Sequence, residues 1–334
     1  MVPIASATPE AIADAAAALR HGDLVAFPTE TVYGLGADAS NADAVARIFA
    51  AKGRPADHPV IVHLAAAGAL DGWARDVPDA ARALAAAFWP GPLTLVLPRA
   101  ARVGDFVTGG QDTVGLRVPA HPIAQALLQA FAGDGDAGLA APSANRFGRI
   151  SPTTAAHVAA DLGAAVALIL DGGACAVGIE STIVAFDARG PMLLRPGGIG
   201  LAALTQVLGH PPRGADGDAP RASGTLASHY APRTRAQLLP AKALVAELDR
   251  RVERDENPAV LARTLAKPGD FDGCWIAAPA DSARYAHDLY ANLRALDDAR
   301  ADEILIEALP DEADWLAVRD RLQRATQGVD DDRD

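Results

Sequence analysis

The chain has 334 residues, half of them hydrophobic, and a formal net charge of −12, a length that favours two domains, each able to bury a core. That charge excludes a polyphosphate-binding surface spread over the whole protein, and 5% aromatics exclude broad base-stacking platforms. Cys175 and Cys274, far apart and with no CxxC or paired histidines at ligand spacing, exclude a disulfide framework and a structural zinc site and predict a reduced, cytoplasmic setting.

Thr8-Pro9-Glu10 predicts a helix start, a side-chain oxygen ahead of a proline at the first helical position, and Gly22 its end. Glu10 and Asp14 stand where a leader would be basic, and no apolar run approaches the roughly 20 residues that span a bilayer, so neither export nor membrane insertion is expected. Strands are predicted at Leu24 to Pro28, Val60 to Leu64, Leu93 to Leu97, Thr113 to Val118, Leu139 to Ala141 and Val166 to Leu170. Helices are predicted around 41–51, 78–88, 121–131 and 153–161. Thr182 to Phe186 and Met192 to Leu194 flank Asp187 to Pro191 as a hairpin. The expected fold class is α/β with a twisted, mixed open sheet. Residues 209–235, rich in Gly, Pro and charge, read as an interdomain linker. Beyond it, strands at 236–239, 259–263, 274–278 and 303–307 alternate with helices at 241–254, 282–298 and 312–324, a small Rossmann-like parallel α/β domain over 236–325. An acidic tail over 326–334 is expected to be disordered.

The densest chemistry lies between Pro28 and Pro55, where hydroxyls, Glu30, two tight-turn glycines (Gly34 and Gly36) and a cationic pair surround one helix. Lys52 is the single lysine of the first 241 positions. No GxxxxGK[ST] loop or dinucleotide fingerprint occurs, so a nucleotide site must be built differently. In Lys52-Gly53-Arg54-Pro55 a point charge and a planar fork suit a triphosphate, although the same residues fit a helix C-terminus capped by Gly53 and decorated with cations. Polar groups recur at the ends of apolar strands, where open α/β sheets bind ligands: Thr29 and Thr31, His58 and His63, Thr113 and Arg117. Ser143, Asn145 and Ser151 follow another strand, with an N-cap for Ser151 and a turn for Asn145 as the alternative readings. Ser181 and Arg195 flank the hairpin, where one pocket could use both. There is no GxSxG and Cys175 has no recognisable partner, so covalent catalysis is unsupported and Cys175 is expected to be a small buried residue.

In order, PTETVYGLG, AKGRP, HPVIVHL, WPGPLTLVL, DTVGLRVPAHP, APSAN, ILDGG, GIESTIV and LLRPG resemble the YrdC-like domain of the threonylcarbamoyl-AMP synthases over residues 8–208. SHYAP at Ser228 to Pro232 and the small domain after it resemble the long, two-domain form. The resemblance implies that L-threonine, bicarbonate and ATP, with Mg2+ on the phosphates, give threonylcarbamoyl-adenylate, pyrophosphate and water. The product would pass to a separate transferase complex that modifies tRNA. It further implies a threonine pocket of Thr31, His63, Arg117, Ala141 and Ser181, and an ATP side of Lys52, Arg54, His58, Thr113, Ser143, Asn145, Ser151, Arg195 and Tyr230, with Lys52 and Arg54 as the catalytic cations.

His58 stands where relatives often carry asparagine, and Ser223-Gly224-Thr225 where many long forms have Pro-Gly-Met. Within 209–235, an imidazole, a phenol and a rigid proline in SHYAP suggest a lid over the pocket, or an anchor in which Tyr230 packs against one domain. Two other classes compete. An RNA-binding module, making weak tRNA contact, is disfavoured by the charge and the few lysines. A carbamoyl-transfer component of hydrogenase maturation would bring zinc-finger cysteines and an acylphosphatase-like region that this sequence lacks.

Overall fold

The computed structural model describes residues 2–226 and 229–327. The chain divides into two compact units, one running to Phe147 and resuming over Ser151–Thr225, the other made of Gly148–Ile150 and the chain from Leu226 on.

The first unit begins with β1 (Ile4–Ser6), α1 (Pro9–Arg20), β2 (Val25–Phe27), β3 (Gly34–Asp38), α2 (Ala42–Lys52) and β4 (Ile61–Leu64). It continues through α3 (Leu70–Trp73), α4 (Asp79–Phe88), β5 (Leu93–Pro98), α5 (Asp105–Thr108), β6 (Thr113–Arg117), α6 (Pro122–Ala132) and β7 (Gly138–Ala140). It closes with α7 (Ala155–Leu162), β8 (Leu168–Asp171), β9 (Thr182–Asp187), β10 (Gly190–Arg195), α8 (Leu201–Leu208) and β11 (Arg213–Gly214). Among the described residues its eleven strands form one mixed sheet in the order β1-β8-β2-β3-β7-β4-β6-β5-β9-β10-β11. The hairpin is present, β9 and β10 pairing antiparallel with Asp187 opposite Gly190.

Helix α2 shows how sequence sets the site's frame. The Asn41 side chain accepts from the N–H groups of Asp43 and Ala44, capping the start, and Gly53 ends the helix in the left-handed region at φ 61°. Ala44, Val45, Ile48 and Phe49 bury one face, and Lys52 follows them, also buried, in the last turn.

Gly34 and Gly36, expected in a tight turn, lie instead in β3, which the sequence pattern left undetected. A Cβ on Gly36 would lie 2.9 Å from Cε1 of Phe27 on the neighbouring strand. These glycines therefore admit an aromatic ring rather than turn the chain.

Within 209–235, β11 pairs parallel with β10, and Ala219 and Ala222 pack on Ile183, Met192 and Leu194. That part of the segment is an integral piece of the first unit up to Thr225. Ser228 and residues 328–334, which carry part of SHYAP and most of the acidic tail, lie outside the described residues.

The second unit consists of β12 (Ala236–Leu239), α9 (Ala241–Glu253), β13 (Pro258–Ala262), β14 (Trp275–Ala277), α10 (Ser282–Asp298), β15 (Glu303–Glu307) and α11 (Leu316–Thr326). Among the described residues its four strands are all parallel, ordered β12-β15-β13-β14, over a core that includes Leu244, Leu248, Val260 and Leu305. The last helix, expected from 312, opens with a 3-10 turn at Ala313–Trp315. Tyr230 belongs to this unit: it is buried, with Tyr290 at 5.7 Å between ring centroids and the Arg321 guanidinium 5.4 Å from its ring.

Candidate active site

The site of the first unit collects where β2, β7 and β10 end, where β9 begins, and at the C-terminus of α2. Parallel pairing of β4 with β6 sets His63 beside Arg117, so both project from the same face of the sheet. Arg117 is buried and donates through Nη2 to Glu30 Oε1 at 2.6 Å, through Nη1 to Thr31 Oγ1 at 2.9 Å and through Nε to the Gly91 carbonyl at 3.4 Å. The Ala120 N–H holds the other Glu30 oxygen at 3.0 Å. Thr31 is further fixed by Thr29, whose hydroxyl lies 2.8 Å away.

Burial, and then the charge of Arg117, depress the His63 pKa to about 3, so the imidazole is neutral. Its Nδ1 is buried without a hydrogen-bond partner among the described residues. Ala141 is buried at the exit of β7, its N–H spent on the Ile61 carbonyl.

Ser181 and Arg195 do meet. Arg195 donates through Nε and Nη2 to the Ser181 carbonyl at 3.1 and 2.9 Å, and through Nη2 to the Ser181 hydroxyl at 3.1 Å. Its Nη1 reaches the Ser223 carbonyl at 2.7 Å. Ser223 also donates its hydroxyl to the Pro59 carbonyl at 2.9 Å. A small pocket beside it is lined by Ile61, Thr94, Thr113, Arg221 and Ser223.

Lys52 is buried, and Nζ donates to the carbonyls of Ser143 at 2.5 Å and Asn145 at 2.6 Å, which take two of its three N–H groups. Burial, and then the charge of Arg54, push its pKa well below the usual lysine value, with Asp161 opposing. Arg54 donates to the Pro59 carbonyl at 2.7 Å and lies 5.9 Å from the centre of the Phe147 ring. His58 meets the same ring edge-on at 5.3 Å, and burial followed by Arg54 lowers its pKa. Asn145 is buried, its Nδ2 donating to the Arg146 carbonyl.

Ser151 does not cap a helix. Thr154 caps α7, accepting from the His157 N–H, while Ser151 is fully buried and donates to Glu180 Oε1 at 2.5 Å. Thr154 wins because it directly precedes the first helical residue. Cys175 is buried as expected, and burial raises its thiol pKa to about 12.

Thr94 escaped the sequence reading, and Glu30, Glu180 and Ser223 were given no place in the site. Thr94 is fully buried with its hydroxyl 2.8 Å from that of Ser181. A lone hydroxyl inside the apolar run LTLVL was its signal. Glu30 and Glu180 each adjoin a residue already singled out, but their partners lie dozens of positions away.

The first unit thus gathers buried cations and hydroxyls: Arg117 holds a hydroxyl and a carboxylate, Arg195 a hydroxyl and carbonyls, and Lys52 braces a loop. A family model described as "Telomere recombination" matches residues 17–197, and one described as "Threonylcarbamoyl-AMP synthase, C-terminal domain" matches 199–327. A threonylcarbamoyl-AMP synthase of Pyrococcus abyssi is 41% identical, covering 93% of each chain. One of Bacillus subtilis is 39% identical, covering 95% of this chain and 93% of its own. The solved structure of P. abyssi Sua5 complexed with L-threonine superposes with a TM-score of 0.88 at 38% identity, covering 98% of this chain and 97% of that one. With both units matched in order and relatives aligned nearly end to end, the chain belongs to the threonylcarbamoyl-AMP synthase family.

Proposed function

We propose that the protein makes L-threonylcarbamoyl-adenylate from L-threonine, bicarbonate and ATP for the threonylcarbamoyladenosine modification of tRNA, releasing pyrophosphate and water. The observation that carries this reading is the end-to-end family match joined to a site of cations and hydrogen-bond donors without a nucleophile. The reaction needs that: the amine of threonine attacks the carbon of bicarbonate or carbon dioxide, a carbamate oxygen attacks the α-phosphorus, and pyrophosphate leaves. Lys52 and Arg54 offset the phosphate charge. His58, Thr113, Ser143, Asn145, Ser151 and Arg195 are assigned to ATP. On the threonine side, Arg117 turns its remaining N–H groups to the carboxylate, and Thr31, His63, Ala141 and Ser181 surround the rest. Neutral His63 offers Nδ1 as an acceptor for the threonine hydroxyl, which selects against analogues lacking it.

Among the described residues no three of His, Cys, Asp and Glu cluster as a metal-ligand set. Donors of this kind fit an ion that arrives on the triphosphate, so Mg2+ enters as the ATP complex and supplies charge neutralisation there. No helix among the described residues is long and apolar enough to cross a membrane, and action in the cytoplasm with hand-off of product to the transferase complex completes the reading.

The test is incubation with ATP, Mg2+ and bicarbonate plus threonine or serine, followed by mass detection of the adenylate and measurement of pyrophosphate. A threonine-dependent adenylate formed one-to-one with pyrophosphate is expected; pyrophosphate release indifferent to the amino acid overturns the reading.

A further inference from the structure

Glu30 belongs to none of the roles above, yet both of its carboxylate oxygens are held at the site. It is buried beside Arg117, with one oxygen on Nη2 at 2.6 Å and the other on the Ala120 N–H at 3.0 Å. Its own carbonyl accepts from the Val177 N–H at 2.7 Å, so main chain and side chain are both pinned. Cys175 and His121 are the other ionisable groups beside it. A guanidinium has five N–H donors, and Glu30, Thr31 and Gly91 take one each, which leaves donors for an incoming anion without expelling Glu30.

Counting charge gives the consequence. Arg117 and Glu30 together are neutral. A simple carboxylate docking on Arg117 would leave this buried site with a net negative charge, and placing a second carboxylate near Glu30 in a poorly solvated cleft is costly. An α-amino acid brings its own cation. Its ammonium sits one carbon from its carboxylate, within reach of Glu30 once that carboxylate meets Arg117, and the four charges alternate.

We infer that Glu30 is a specificity-determining residue: it makes the amino-acid pocket selective for the zwitterion, holding the Arg117 fork for the carboxylate while facing the ammonium. This rests on the reading that Arg117 takes the substrate carboxylate. It goes beyond that reading by assigning the ammonium a partner and the pocket a reason to refuse the matching hydroxy acid, 2,3-dihydroxybutyrate.

The experiment uses the full chain and calorimetry with L-threonine and with 2,3-dihydroxybutyrate, on wild type, Glu30→Gln, Glu30→Asp and Arg117→Lys, each checked for folding by circular dichroism. Wild type should prefer threonine by about 100-fold or more. Glu30→Gln should lower that ratio at least about tenfold, by weakening threonine and sparing or improving the hydroxy acid, whereas Glu30→Asp should keep most of the ratio even if both ligands weaken. Equal binding of the two ligands by wild type overturns the inference, and that measurement needs no variant. So does an unchanged ratio in folded Glu30→Gln. If Arg117→Lys leaves threonine affinity intact, the carboxylate assignment fails instead, and the two failures are told apart.

Discussion

Lys52 carries two duties. Its ammonium braces the loop after β7 through the Ser143 and Asn145 carbonyls, and in the proposed reaction it also offsets phosphate charge. Lys52→Ala should therefore lower adenylate turnover by ~10², as expected for losing a preorganised charge. It should also cost about 1–3 kcal/mol of stability, because two carbonyls lose their donor. Urea unfolding beside single-turnover assays separates the two effects, and near-normal turnover in a folded variant would refute the catalytic part. His63 gives a pH signature. Its folded pKa of about 3 lies below the ordinary 6.5, so the unfolded chain binds the proton first. The stability it contributes is full above pH 6.5 and declines as pH falls towards 3, at up to about 1.4 kcal/mol per unit. Between pH 6 and 4, His63→Asn should flatten the stability profile relative to wild type; parallel profiles from denaturant melts would contradict the buried neutral imidazole.

At the scale of elements, the turn leaving β10 passes against the entry to β9. A Cβ on Gly197 would lie 2.3 Å from the Thr182 nitrogen and 2.5 Å from the Ser181 carbonyl carbon. Both neighbours are backbone, so neither can rotate aside. Gly197→Ala should destabilise the protein by about 1–3 kcal/mol and weaken threonine binding, since it parts Ser181 from Arg195. Gly68→Ala, which meets open space, should stay within about 0.5 kcal/mol of wild type in the same thermal melts. In the second unit, Glu307 ends β15 and accepts from the N–H groups of Arg263, Thr264 and Leu265, so one side chain closes the loop that follows β13.

For the whole molecule, the net charge of −12 separates catalysis from nucleic-acid binding. The acidic surplus opposes phosphate contacts, so any tRNA association should be weak and lost by about 0.15 M salt, while adenylate formation persists. Filter retention of tRNA that survives that salt would restore the RNA-binding alternative. The first unit packs apolar residues on both faces of its mixed sheet, and the second has a core of its own under the four-stranded parallel sheet.

Local signals determined much of this. Capping residues and the spacing of apolar positions marked α2, α9 and α10 within a residue or two, because helix ends and buried faces follow from neighbours in sequence. Ordered motifs were enough to name the family. Strand β3 was hidden because its glycines make sense only once the Phe27 ring is laid across them. The alternative reading of Ser151 as a cap failed because folding set it against Glu180, 29 positions away. The pairing of Arg117 with Glu30 spans 87 positions and depends on strand order, which no local pattern contains. Composition and periodicity thus settled which residues were available and which segments were regular. Only the sheet's topology decided which charges would share a buried site, because a charge loses water, and so gains its partner's full influence, only where distant segments close around it.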